Sequence, residues 1–174
     1  MNIYEKVRKS YKPNKINYLF IAETPHKKDT DRFFYFENIK DKDGLFIETM
    51  KVLYPDEVQK HGIKEVRNKK KIFLEKFKND GFYLIDSLIN PFEDNLSSSQ
   101  KIQLIRAGQK DLLNRILKII DDETKVILIA ATVYEANHTF LIENGINVIN
   151  KESIDFPAYS GQIKYREKLS KLLT

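Results

Sequence analysis

Two carboxylates stand directly after buried-looking apolar runs, where a folded chain can set an acid or a base to work. Glu23 follows Tyr18-Leu19-Phe20-Ile21-Ala22 and opens the turn Thr24-Pro25-His26, and Asp86 closes Phe82-Tyr83-Leu84-Ile85. A carboxylate such as Glu23 on the floor of a cleft can orient water or stabilise developing positive charge; it can equally accept backbone N–H groups from its own loop. Asp86, acceptor-only when ionised, can read an N–H or amino group of a ligand or cap a following helix. Two such carboxylates close together would leave one with a raised pKa.

Aromatic residues crowd the stretch between them, in Phe33-Phe34-Tyr35-Phe36. Such rings can stack on any planar base, but neighbouring side chains cannot all face one cleft, so at least half of the four should anchor the loop to the core. The segment Asp155-Phe156-Pro157-Ala158-Tyr159-Ser160-Gly161-Gln162 precedes a terminal helix whose free N–H groups favour an anion, although most such loops only turn the chain. Pro25 and His26 read as turn geometry, and Lys69-Lys70-Lys71 as a solvated helix face.

The elements that must position these residues follow from periodicity. Residues 2–11 form a short helix stopped before Pro13. The apolar runs 18–22, 82–86 and 125–130 read as strands covered on both faces, and 146–149 as a short fourth strand. No helical period runs through 23–43, which predicts a long functional loop. Helices are expected from Gly44 to about Tyr54 and from about Glu65 to Lys78. Ser97 and Gln100 form a capping-box signal for one long helix reaching Ile120, Thr132 caps a helix ending near Gly145, and a final helix carries Tyr165, Leu169, Leu172 and Leu173. The alternating order predicts a parallel α/β sheet between helices, with the loops after residues 22, 86, 130 and 149 converging at one end.

Composition narrows the function classes. At 174 residues with 41% hydrophobic and 32% charged residues, one globular domain spanning 1–174 is expected. A net charge of +5 tilts weakly towards phosphate-bearing partners. The chain has no cysteine, and its three histidines, His26, His61 and His138, lack ligand spacing, so neither a metal nor a cofactor is expected. Its six glycines form no dinucleotide or phosphate loop, and no Gly-x-Ser-x-Gly elbow exists. The N-terminus lacks an apolar leader, and the longest apolar run, 126–131, is too short to span a bilayer, so no membrane association and a cytoplasmic location are expected.

Taken together, the four loops resemble the uracil-DNA glycosylase superfamily over most of the chain. Ala22-Glu23-Thr24-Pro25-His26 looks like its first motif, with Phe33-Phe34 and Gly44-Leu45-Phe46 as the continuation. Phe82–Asp86 with Asn90-Pro91 is similar to the second-strand motif, with Asp86 where the family often has a base-reading Asn. Val126–Ala130 resembles the third strand, and Phe156-Pro157-Ala158 with Gln162, Tyr165, Arg166 and Leu169 resembles the final loop and helix. Phe156 stands where the family places a His that stabilises the departing base, and His26 replaces a motif glycine.

The resemblance implies a three-layer α/β/α sandwich with a four-stranded parallel sheet in the order 2-1-3-4. It also implies a monomer acting on DNA, single strands included, that hydrolyses the base–sugar bond of a deaminated base, uracil or hypoxanthine, after base flipping. Glu23 would be catalytic. Phe33, Phe34, Asp86, Asn90 and Phe156 would hold the base, and His26, Pro157, Tyr159, Ser160, Gln162 and Arg166 would grip the DNA backbone. The alternative is a noncatalytic protein of the same fold that binds nucleic acid, a base or a protein partner. A small-molecule hydrolase on a flavodoxin-like sheet is a third reading.

Overall fold

The structure, a computed structural model, describes residues 2–26, 32–39, 43–158 and 160–174. Helix α1 (Ile3–Ser10) begins where Asn2 Oδ1 accepts the Glu5 amide at 2.9 Å. Its inward side places Tyr4, Arg8 and Tyr11 at spacings of four and three, all buried. A guanidinium thus occupies a core position.

Strands β1 (Tyr18–Ala22), β2 (Phe82–Asp86) and β3 (Lys125–Leu128) form a parallel sheet in the order β2-β1-β3. Ala22 pairs with Asp86 and Ile21 with Leu128 in its register. Leu19, Phe20 and Ile21 on the central strand have no exposed surface, which explains their unbroken apolar run. The chain leaves β1 for one neighbour and then crosses to the other, so strand order reverses at the carboxyl end of β1.

Eight helices are present among the described residues, and they flank the sheet, an arrangement compatible with a three-layer sandwich. Helix α2 (Gly44–Leu53) is followed by α3 (Pro55–Asn68), which sequence periodicity did not predict. Its signals are proline at the first helical position and Asp56 and Glu57 in the first turn, followed by a kink at Gly62 with φ 74°. Helix α4 (Lys70–Asn79) ends in the expected turn, where Gly81 takes φ 82° and packs against Asn17.

The single helix expected from residue 97 to 120 is two, α5 (Ser98–Ala107) and α6 (Gln109–Leu117). The Ser97–Gln100 capping box forms as expected. The two meet at Gly108, where the missing Cβ leaves room for Leu88, whose Cδ2 lies 2.5 Å from where a Cβ would be. Both halves still bury their apolar side through Ile102, Ile105, Leu112 and Ile116.

Residues 146–149 do not pair as a continuous strand. The chain touches β3's line through isolated parallel bridges, Val126 with Val148 and Ile129 with Ile154. Between them the Asn150 side chain accepts the Leu128 amide at 3.0 Å and donates to the Leu128 carbonyl at 3.2 Å, replacing a backbone partner. Helices α7 (Ala131–Glu143) and α8 (Gln162–Leu173) complete the fold. Among the described residues, no helix is long and apolar enough to cross a membrane.

The lysine run contains a further departure from expectation. Lys69 and Lys71 reach solvent, but Lys70 has no exposed surface, its amine lying 4.4 Å from the Phe46 ring centroid. Its position at the start of α4 points it towards α2 and the core.

Candidate functional site

A cleft of about 870 Å³ opens beyond the carboxyl ends of β1 and β2. Its lining comes from the turn after β1, the aromatic segment, the start of α2, the 91–96 loop and the 156–158 loop. Gly44 lets the start of α2 and the 156–158 loop meet, because a Cβ there would come within 2.8 Å of the Pro157 carbonyl oxygen.

Glu23 is half-buried, one residue past the end of the central strand. The hydroxyl of Thr132, the second residue of α7, donates to its Oε1, and the Lys101 amine of α5 lies 3.6 Å from Oε2. Thr132 therefore fixes this carboxylate and does not cap α7 as expected. The start of α7 is set by Ala130, whose φ of 83° and ψ of 142° belong to backbone space that glycine normally occupies. Such strain costs on the order of 1–3 kcal/mol and is held in place by surrounding structure, here the Ala130 amide on the Ile154 carbonyl at 3.1 Å.

Asp86 is held differently. It is buried, and its carboxylate receives the Arg8 guanidinium from α1, which also bridges to Glu5. Burial raises its pKa, opposed by the Arg8 and Arg115 charges. The raised value expected for one member of a carboxylate pair is present, but its first cause is desolvation and not Glu23. Arg115 donates to the Asp86 and Ser87 carbonyls at 2.9 and 2.6 Å, fixing the strand end.

Phe33 and Phe34 line the cleft and also anchor the loop. Phe33 packs edge-on to Tyr4 and carries Arg8 over one face at 5.2 Å; Phe34 packs against Phe46 and Phe77. Tyr35 is fully buried, its hydroxyl accepting the Leu84 amide at 2.7 Å. Phe156 lines the mouth at 36% exposure, and Pro157 lines the wall while buried.

The remaining expected contacts divide. His26 and Gln162 line the cleft, and partial desolvation followed by the Arg32 charge holds the His26 imidazole below its usual range. Its carbonyl accepts the Tyr4 hydroxyl. Ser160 is exposed but outside the lining, Tyr159 lies outside the described residues, and Arg166 is committed to the buried Glu48 of α2. Asn90 faces a separate groove beside Ile89 and Leu104. These placements remove Asn90 and Arg166 from direct contact with a ligand in the cleft.

Sequence reasoning missed Arg8, Lys101, Thr132 and Asp43. Asp43 lines the cleft while almost entirely buried; Arg67 Nε donates to its Oδ1 at 2.8 Å. Lys70 sits behind it, its pKa lowered to about 7 by burial, with Asp43 raising it and Arg67 lowering it. The available signals were a charged residue on the core side of α1 and an Asp just before a helix start.

No group of three or more His, Asp or Glu side chains that could hold a metal ion exists among the described residues. No family model matches the chain, and no curated protein matches it. The functional reading therefore rests on the cleft's own chemistry.

Proposed function

We propose that the cleft is the active site of a cytoplasmic DNA glycosylase-like hydrolase of the uracil-DNA glycosylase type, acting on a nucleotide extruded from the strand. The observation that carries this reading is Glu23, a carboxylate held in place at the point where strand order reverses, sharing one cleft with aromatic rings and Asp86.

Thr132 occupies Oε1 of Glu23, while Lys101 approaches Oε2 at 3.6 Å, beyond hydrogen-bond length. Oε2 keeps lone pairs with which to orient a water molecule. As the base–sugar bond lengthens, the sugar gains positive charge that the ionised Glu23 stabilises, and the water adds to C1′ while passing its proton to the carboxylate. The cleft volume suits a base with its sugar. The turn at His26 and the start of α8 at Gln162 form the rim along which the strand would lie.

The test uses oligonucleotides carrying single uracil, hypoxanthine or other damaged bases, with alkaline cleavage of abasic sites as readout. Abasic product should appear, and Glu23→Gln should lower its rate by roughly 10²–10⁴-fold with the fold intact. Salt-sensitive strand binding without product, unchanged by Glu23→Gln, would replace this reading with that of a noncatalytic binder.

A further inference from the structure

Glu23 has an amine beside it as well as a hydroxyl. Lys101 Nζ lies 3.6 Å from Oε2 in the wall of the same cleft, 5.3 Å from the Phe92 ring centroid, with 32% of the side chain exposed. Neither contact locks the amine, since the first exceeds hydrogen-bond length and the second is a ring face. The lysine therefore stands within a side-chain swing of whatever Glu23 acts on.

The neighbouring cations cannot do what this amine can. Arg32 lines the cleft, but a guanidinium does not give up its proton in a protein. Lys70 is fully buried and outside the lining. Among the described lining residues, Lys101 is thus the amine able to bond to a carbonyl carbon.

Cleavage of the base–sugar bond creates that carbon. It leaves a hydroxyl on C1′, and the sugar then opens to an aldehyde beside Glu23. We infer that Lys101 attacks this aldehyde and that the chain goes on to cut the strand at the abasic sugar, a lyase activity following base removal. The inference takes from the hydrolase reading the placement of C1′ next to Glu23.

A strand covering the cleft excludes water, which disfavours both charges of the pair, and the Lys101 ammonium passes a proton to Glu23. The neutral amine adds to C1′ and gives a carbinolamine. Glu23 returns its proton to the carbinolamine hydroxyl, which departs as water and leaves an iminium, C1′=N. Ionised again, Glu23 takes a proton from C2′. The electron pair of that C–H bond, held first in the enamine, forms C2′=C3′ as the C3′–O bond breaks and the phosphate leaves with that bond's pair. Water then adds to C1′ and expels the lysine as ammonium, and Glu23 releases its proton to solvent.

The experiment uses strands with one preformed abasic site, so that no base need be released, and a tetrahydrofuran analogue that has no aldehyde. Borohydride, which reduces an imine to a stable amine, should trap a covalent protein–DNA adduct on the abasic strand alone, and peptide mapping should place it on Lys101. Without alkali, the unaltered chain should cut the abasic strand. Lys101→Arg keeps a cation beside Glu23 but cannot form the imine, so it should lose the adduct and cut at least about a hundredfold more slowly. Lys101→Met should match it.

No adduct, an adduct scattered over other lysines, or cutting undiminished in Lys101→Arg overturns the inference. Base release from a uracil strand without a Lys101 adduct does so while leaving the hydrolase reading in place. A Lys101 adduct and cutting, with no base released from any strand, upholds the inference and overturns the hydrolase reading instead.

Discussion

The ends of β1 and β2 lie side by side in register, yet they hold their carboxylates in opposite ways. Glu23 is half-buried, fixed by a neutral hydroxyl and approached by a lysine that also lies 5.3 Å from the Phe92 ring centroid. Asp86 is buried and joined to an equally buried guanidinium. The first arrangement leaves lone pairs open to a reactant; the second commits the carboxylate to a charge partner and makes the floor of the cleft depend on it. Position after a strand predicts where a carboxylate will be, and its neighbours decide what it can do.

Breaking the Arg8–Asp86 pair should have the largest effect on stability. Arg8→Met leaves a buried carboxylate without its partner and should cost about 3–5 kcal/mol, read as a lower urea midpoint. Arg8 holds the Asp86 pKa down, so its loss raises that pKa further. The penalty should therefore shrink as pH falls and Asp86 takes up a proton. A penalty independent of pH would mean that Arg8 acts through packing on Phe33 and not through charge.

Asp43 extends the comparison to a carboxylate backed by a lysine. The folded-state pKa of Lys70, about 7, lies below its ordinary 10.5, so between those values the unfolded chain binds a proton that the folded chain has released. Stability should rise with pH across this window, with a slope of up to about 1.4 kcal/mol per pH unit. Lys70→Met should flatten the rise and stabilise the protein most below pH 7. Denaturation midpoints at pH 6.5 and 9.5 test this.

The smallest effect belongs to the Glu23 side. Lys101→Met removes an ion pair whose side chains are 32% and 23% exposed, and should change stability by about 0–1 kcal/mol, less at high salt. A loss as large as that from Arg8→Met would erase the distinction between the two strand ends.

The sheet was legible because β1 and β2 are buried on both faces, and an unbroken apolar run can hardly fold otherwise. Glu23, Asp86 and the Phe33-Phe34 wall were legible because sheet topology dictates where strand ends and their loops gather. Arg8, Lys101 and Thr132 were not, since each joins the site through contacts dozens of residues away in sequence. The break at Gly108 was hidden because the apolar period continues through it on both sides. Residues 146–149 look like a strand by composition, but the nearby Asn150 side chain takes over part of the pairing that a fourth strand would make.

Helix α1 gives the cleft an order of assembly. Arg8 is made before its partner Asp86, which comes 78 residues later. Until β2 exists, the guanidinium has only Glu5 and water to satisfy it, so the floor cannot close on a growing half-chain. The floor is begun by α1 and closed only when β2 arrives, and the walls at 91–96 and 156–158 come later still, which ties any recognition of a substrate to a chain made at least as far as that last loop.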